Sequence, residues 1–174
     1  MESVINAGVI ARAQAGEEDA FTQIISTHER ELTAFLYRRV GDPQVAEDLL
    51  QDTFVAAWKA IHKTQPDLIV RPWLYKIALN MARQWERRQG IAGRILQLLH
   101  RQREEDDWLE RNEVQRVLGQ MQPRDAEVLL LKVVSGFSYS EIGLMLNIKT
   151  EAVRQRLHRA RERFRILYFG QDGE

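Results

Sequence analysis

Gly136–Arg165 reads GFSYSEIGLMLNIKTEAVRQRLHRARERFR, and it divides into two helices joined by a tight turn. Gly136 breaks the preceding apolar run. Ser138 has the signature of an N-cap, with Glu141 three residues on to complete a capping box. Ile142, Met145 and Leu146 recur at helical spacing and give the first helix one face to bury. Asn147 suits a left-handed residue after the helix end. Thr150 is the predicted cap of the second helix, with Glu151 near the positive end of its dipole. Val153, Leu157, Ala160 and Phe164 then follow i, i+4, i+7, i+11, a narrow apolar stripe. The opposite face carries Arg154, Gln155, His158 and Arg159. From Lys149 to Phe169 there are seven Lys or Arg and two acids, Glu151 and Glu162. A solvated surface helix is the plain alternative. The cationic excess favours a helix that enters the DNA major groove, where Arg bonds guanine, Gln bonds adenine and either bonds phosphate.

Working outward, the 174-residue chain has room for one or two small domains. It has no cysteine, which excludes disulfides, Cys-ligated zinc and a Cys nucleophile. No apolar run approaches the ~20 residues of a membrane span, and no signal peptide is expected at the N-terminus. A cytoplasmic protein is the simplest expectation. Twenty-five basic residues balance twenty-five acidic ones, which is unusual for an isolated DNA-binding module. The acids concentrate away from the basic helix, in Glu47, Asp48 and Asp52 and in the run Glu104–Asp107.

The pattern predicts helices throughout, since no alternating strand pattern persists. Val4–Ala15, Glu17–Ser26 and His28–Val40 read as three helices, the last stopped by Gly41. Asp42 caps the next, with Pro43 at its first position. That helix runs to about Ile61 on a stripe of Ala46, Leu50, Phe54, Ala57 and Ile61. His62–Arg71 reads as a loop. Pro72 opens a helix to about Gln89 that buries Leu74, Ile77, Ala78, Met81 and Trp85. Gly90 and Gly93 mark a domain boundary. The segment that follows, with Ile95, Leu96, Leu98 and Leu99, is a linker of helical tendency. A second domain starts near Trp108. It has a helix on Val114, Val117, Leu118 and Met121, and another, opened by Pro123, on Ala126, Leu129, Leu130 and Val133. The expected fold is all-α: two small helical domains, residues 1–90 and 108–174, joined by a linker over 91–107, with the helix-turn-helix in the second.

Two other constellations stand out. Glu47, Asp48, Gln51 and Asp52 lie at i, i+4 spacing opposite the apolar stripe of their helix. Metal binding, a solvated face and a docking surface for a basic partner all fit them. No His or Gly-rich phosphate loop completes a catalytic site. His28, His62, His100 and His158 lack metal-ligand spacing, so neither a metal nor a cofactor is expected. The second constellation is Trp73, Tyr75, Lys76, Asn80, Arg83 and Arg87, which suits unpaired DNA by stacking, base-edge bonds and phosphate contacts. Packing of both aromatics into the core fits the same pattern.

Three stretches, in order, resemble an RNA polymerase sigma factor of the extracytoplasmic-function (ECF) subgroup of the sigma-70 family. VAEDLLQDTFVAAW (Val45–Trp58) looks like region 2.2, and RPWLYKIALNMARQWERR (Arg71–Arg88) like regions 2.3 and 2.4. MQPRDAEVLLLKVVSGFSYSEIG (Met121–Gly143) with EAVRQRLHRARERFR (Glu151–Arg165) looks like region 4. The resemblance implies a non-enzymatic protein that gives core RNA polymerase its promoter specificity; a stand-alone helix-turn-helix regulator is the competing reading. It implies that Glu47, Asp48, Gln51 and Asp52 dock on the clamp helices of the largest polymerase subunit. It places the loop His62–Val70, with Lys63, and the residues Trp73, Lys76, Asn80, Arg83 and Arg87 at the melted −10 element. It places Arg154, Gln155, His158 and Arg159 at the −35 element, and Ser138, Tyr139, Lys149, Arg156 and Arg161 near phosphates. It also implies an anti-sigma partner. Three positions depart from the family pattern: Glu151 and Ala152 stand where a small residue and Thr are usual, and Gly143 where Ala is usual.

Overall fold

The computed structural model describes residues 7–100 and 109–170, with side chains for 7–90 and 113–170. Val4–Asn6 of the first predicted helix, the acidic run Glu104–Asp107 and Trp108 lie outside the described residues, as do the linker leucines' side chains. The described residues form helices with no strand. They fall into two compact units, the first ending at Arg83 and the second beginning at Gln84.

The first unit holds α1 (Ala7–Gln14), α2 (Glu18–Val40), α3 (Pro43–Ile61) and the start of α4 (Val70–His100). α2 is one helix where the sequence predicts two. No Gly or Pro interrupts residues 17–40. The hydroxyls of Ser26 and Thr27 donate to the carbonyls of Thr22 and Gln23, each at 2.8 Å, so the polar pair bonds back along the helix instead of ending it. Gly41 does end it, with φ 76° and its N–H on the Tyr37 carbonyl. Asp42 then caps α3, its carboxylate accepting from the Val45 N–H at 3.0 Å, with Pro43 at the first position. Leu49, not Leu50, joins Ala46, Phe54, Ala57 and Ile61 in the core. The Thr53 hydroxyl, fully buried there, donates to the Leu49 carbonyl at 2.6 Å.

α4 begins at Val70, two residues before Pro72. Proline fits because a first-turn N–H has no partner within the helix. The extra residues bring Val70 into the core. The buried face is turned from the predicted one: Leu74, Tyr75, Ala78, Leu79 and Ala82 are buried, while Ile77, Met81 and Trp85 are half-buried. Tyr75 packs its ring 4.9 Å from Phe35, and Phe21 packs 5.0 Å from Trp58. Each such aromatic removes enough apolar surface from water to contribute roughly 2 kcal/mol. Gly90, at φ 62° and ψ −168°, interrupts α4; a Cβ there would be strained.

The second unit contains α5 (Leu109–Gln120), α6 (Pro123–Leu129), a single π turn (Leu130–Val134), α7 (Tyr139–Leu146) and α8 (Thr150–Phe169). The π turn corrects the reading of the second apolar stripe. Ser135 N–H reaches back five residues to the Leu130 carbonyl, and Phe137 N–H bonds Leu131. The wider turn swings Val133 out to 60% exposure and brings Leu131 and Phe137 fully inside. Around them pack Val117, Leu118 and Met121, Ala126, Val128 and Leu129, Ile142 and Met145, and Val153, Leu157 and Ala160.

Candidate nucleic-acid interface

The helix-turn-helix is built as its local signals dictate. The Ser138 hydroxyl accepts from the Glu141 N–H at 3.2 Å, and the Glu141 carboxylate accepts from the Ser138 N–H at 2.7 Å. This capping box sets the start of α7. Asn147, at φ 53° and ψ 50°, ends it in the left-handed conformation, and the Ile148 N–H bonds the Gly143 carbonyl at 2.9 Å. A Cβ on Gly143 would lie 2.8 Å from the Ile148 carbonyl oxygen. Glycine at this position therefore admits the turn against α7. Thr150 is the first residue of α8, not its cap. Lys149 occupies the cap position and makes no side-chain bond to the helix end.

Val153, Leu157 and Ala160 hold α8 to its unit, with Phe164 half-buried. Arg154, Gln155, His158 and Arg159 are all exposed, as are Ser138, Lys149 and Arg161; Tyr139 and Arg156 are half-buried. The cations differ in their partners. Arg154 Nη1 lies 3.7 Å from Glu151 and its guanidinium 5.6 Å from the Tyr139 ring centre. Arg159 lies 3.5 Å from Asp125 of α6, and Arg165 lies 2.8 Å from Glu162. Arg156, Arg161 and Arg163 make no ion pair among the described residues. Lys132, which sequence reasoning passed over, donates to the Phe137 carbonyl at 3.1 Å and sits 4.9 Å from the Tyr139 ring centre.

In the first unit, Glu47, Asp48, Gln51 and Asp52 are all exposed along the outer face of α3. Val55, one turn on, is 52% exposed beside them. Among the described residues no group of three or more His, Cys, Asp or Glu is assembled that can hold a metal ion.

On α4, Trp73, Lys76, Asn80 and Arg83 recur at i, i+3, i+7 and i+10, one face about 15 Å long at 1.5 Å per residue. Lys76 and Asn80 are exposed, Trp73 and Arg83 half-buried, and Arg87 further along is exposed. Tyr75 is 1% exposed, so of the two aromatics only Trp73 retains surface for stacking.

The loop before α4 holds the exposed Lys63 and Ile69. It is fastened by Gln14 of α1, whose side-chain amide donates to the Thr64 hydroxyl and the Gln65 carbonyl, each at 2.8 Å. The start of α4 is fastened by Arg71, which donates to Glu31 of α2 at 2.9 Å. His28 Nδ1 donates to the same carboxylate at 2.8 Å. Partial burial raises the Glu31 pKa, but the hydrogen bonds and charges of His28 and Arg71 outweigh it and leave the pKa below the ordinary value. Gln14, Glu31 and Arg71 act over separations of 40 to 51 residues, and no local pattern announces them.

Two helical units, the second presenting a cationic helix through a helix-turn-helix, define a DNA-binding architecture. Family models agree. Residues 24–91 match Sigma-70 region 2 and residues 111–164 match Sigma-70, region 4. RNA polymerase sigma factor CarQ of Myxococcus xanthus is 33% identical, over 90% of this chain and 93% of that one. ECF RNA polymerase sigma factor SigW of Bacillus subtilis (strain 168) is 27% identical, over 90% and 92%. A solved structure of CnrH in complex with the cytosolic domain of CnrY is 31% identical. It covers 94% of this chain and 96% of that chain, with a TM-score of 0.76. The chain belongs to the sigma-70 family of RNA polymerase sigma factors, in its ECF subgroup. No helix among the described residues is long and apolar enough to cross a membrane.

Proposed function

We propose that this sigma factor binds core RNA polymerase, directs it to promoters through −10 and −35 elements, and performs no covalent chemistry itself. The carrying observation is the exposed Arg154, Gln155, His158 and Arg159 face of α8, held out by a helix-turn-helix. Residues 108–174 read the −35 element, with Ser138, Lys149, Arg156 and Arg161 toward phosphates. Residues 1–90 engage polymerase and the melted −10 strand, and 91–107 link the two.

The outer face of α3 docks on the polymerase clamp helices through Glu47, Asp48, Gln51 and Asp52. The exposed Val55 supports docking over mere solvation, since it adds apolar area to a charged patch. Lys63, Trp73, Lys76, Asn80, Arg83 and Arg87 meet the −10 strand by stacking and phosphate contacts. The protein works in the cytoplasm, where polymerase is, and an anti-sigma factor holds it in check. The solved complex of CnrH with the cytosolic domain of CnrY supports that last assignment.

The test is reconstitution with core polymerase and run-off transcription from genomic fragments. Promoter-specific transcripts are expected. None, with a known sigma factor active in the same assay, overturns the reading. Tight binding to duplex promoter DNA without polymerase, and no transcript with it, would make the chain a stand-alone regulator.

A further inference from the structure

We propose that Tyr139 and Glu151 hold the Arg154 guanidinium in one reading position, which makes Tyr139 a positioning residue for base discrimination and not a phosphate contact. The inference rests on α8 being the −35 helix.

Tyr139 is the first residue of α7, directly after the capping box. Its backbone is therefore fixed by two hydrogen bonds, from Ser138 N–H to Glu141 and from Glu141 N–H to Ser138. Its ring has two cations within 6 Å: Lys132 Nζ at 4.9 Å and the Arg154 Cζ at 5.6 Å. Lys132 is anchored in turn by its bond to the Phe137 carbonyl. Glu151 lies one turn before Arg154, with 3.7 Å between carboxylate and guanidinium.

Arg154 is thus bracketed by partners from two helices although its side chain is 61% exposed. A long exposed side chain ordinarily loses much rotamer freedom when it docks; one already held loses less. A bidentate bond from Arg to guanine needs the guanidinium fork in one plane. The arrangement also accounts for an acid at the DNA-facing start of α8. Beside Arg154, Glu151 forms a locally neutral pair, so its repulsion of phosphate is largely cancelled while it steers the arginine.

The test uses the full chain in complex with core polymerase and a promoter library randomised at the −35 element. Arg154→Ala should erase the base preference at one position, a change of about 5- to 150-fold. Tyr139→Phe should retain it. Tyr139→Leu should reduce it about two- to five-fold at that position alone, and should add nothing in the double variant with Arg154→Ala. Glu151→Gln, an exposed change that keeps the fold, should relax the same position while raising affinity for all sequences. An unchanged preference in both Tyr139→Leu and Glu151→Gln overturns the inference. So does a uniform loss across all sequences in Tyr139→Phe, which is the mark of a phosphate contact through the hydroxyl. If Arg154→Ala leaves every position unchanged, the −35 assignment of α8 itself falls, an outcome separate from failure of the positioning role.

Discussion

Asp125→Asn should make the second unit less stable and its grip on promoter DNA stronger, two effects of opposite sign from one atom exchange. Asp125 is the third residue of α6, near the positive end of that helix's dipole. It also lies 3.5 Å from Arg159, on the side of α8 proposed to face DNA. Neutralising it removes a dipole interaction of about 0.3–1 kcal/mol and an ion pair of about 0.2–1 kcal/mol, solvent-screened on its 59%-exposed arginine and less so on its 18%-exposed carboxylate. Their sum is on the order of 1 kcal/mol, which in a unit of this size lowers Tm by roughly 4–8 °C. On DNA the same pair works in reverse, because Arg159 must leave Asp125 to reach phosphate or base. Freeing it returns about 0.2–1 kcal/mol, or about 1.4- to 5-fold in affinity. One more cation available to phosphate also steepens the salt dependence by about 0.9 in log–log slope. The assay is competition for a −35-containing promoter by the polymerase complex at several salt concentrations, with thermal melts of the free chain alongside. If Asp125→Asn weakens promoter binding as Arg159→Ala does, then Asp125 aims Arg159 at DNA and does not compete for it, and the reasoning fails.

The first unit carries two further expectations. Gln14→Ala removes both bonds that fasten the 62–69 loop; at about 1 kcal/mol each, roughly 5- to 30-fold poorer opening of the −10 region is expected in a permanganate-footprint assay, with polymerase affinity unchanged, and unaltered opening would show that the loop orders itself without α1. Because the Glu31 pKa is lowered in the folded state, its ionised form stabilises the fold above the unfolded value of about 4.3, and that contribution is lost as pH falls through the folded pKa. The Tm gap between the native protein and Glu31→Gln should therefore be full at neutral pH and shrink below about pH 4.3; a gap constant with pH would mean that the carboxylate's charge contributes nothing.

What the sequence made legible is what short range decides. Gly41, Asp42–Pro43, the Ser138–Glu141 box and Asn147 each act on neighbours within four residues, and each helix end stands where they put it. The face of a helix was legible only where its turn stays regular. Val133 was expected inside because an α-helix continuing from Leu129 would place it there. The π turn adds a residue and rotates it out, and nothing in LLLKVV distinguishes the two. Trp73 and Tyr75 look alike in composition, but a helix that starts at Val70 turns Tyr75 onto Phe35 and leaves Trp73 half-exposed. Of the site, the charged residues could be named, while the side chains that aim them could not. Gln14 on the loop, Glu31 on Arg71 and Lys132 beside Tyr139 are joined by packing across helices, for which a single chain shows no periodicity.

The acids that balance the chain's basic residues stand in two kinds of place. Some lie on the outer face of α3, with no ion pair among the described residues. Others sit beside the arginines of α8: Glu151 with Arg154, Asp125 with Arg159, Glu162 with Arg165. Arg156, Arg161 and Arg163 have no such partner among the described residues. On the proposed reading this divides the labour along one helix. An unpaired cation gives its full charge to phosphate, about 0.9 of salt slope each, and carries no base information. Arg154, paired with Glu151, gives up part of that attraction, since its partner repels DNA, but it is held where a base edge can meet it, whereas Arg159 must leave Asp125 to bind. Affinity and discrimination then rest on different arginines, so removing Arg156 or Arg161 weakens all promoters alike while removing Arg154 changes which promoters are chosen. An acid at Glu151, where a small residue is usual, thus gives up some DNA affinity in exchange for discrimination.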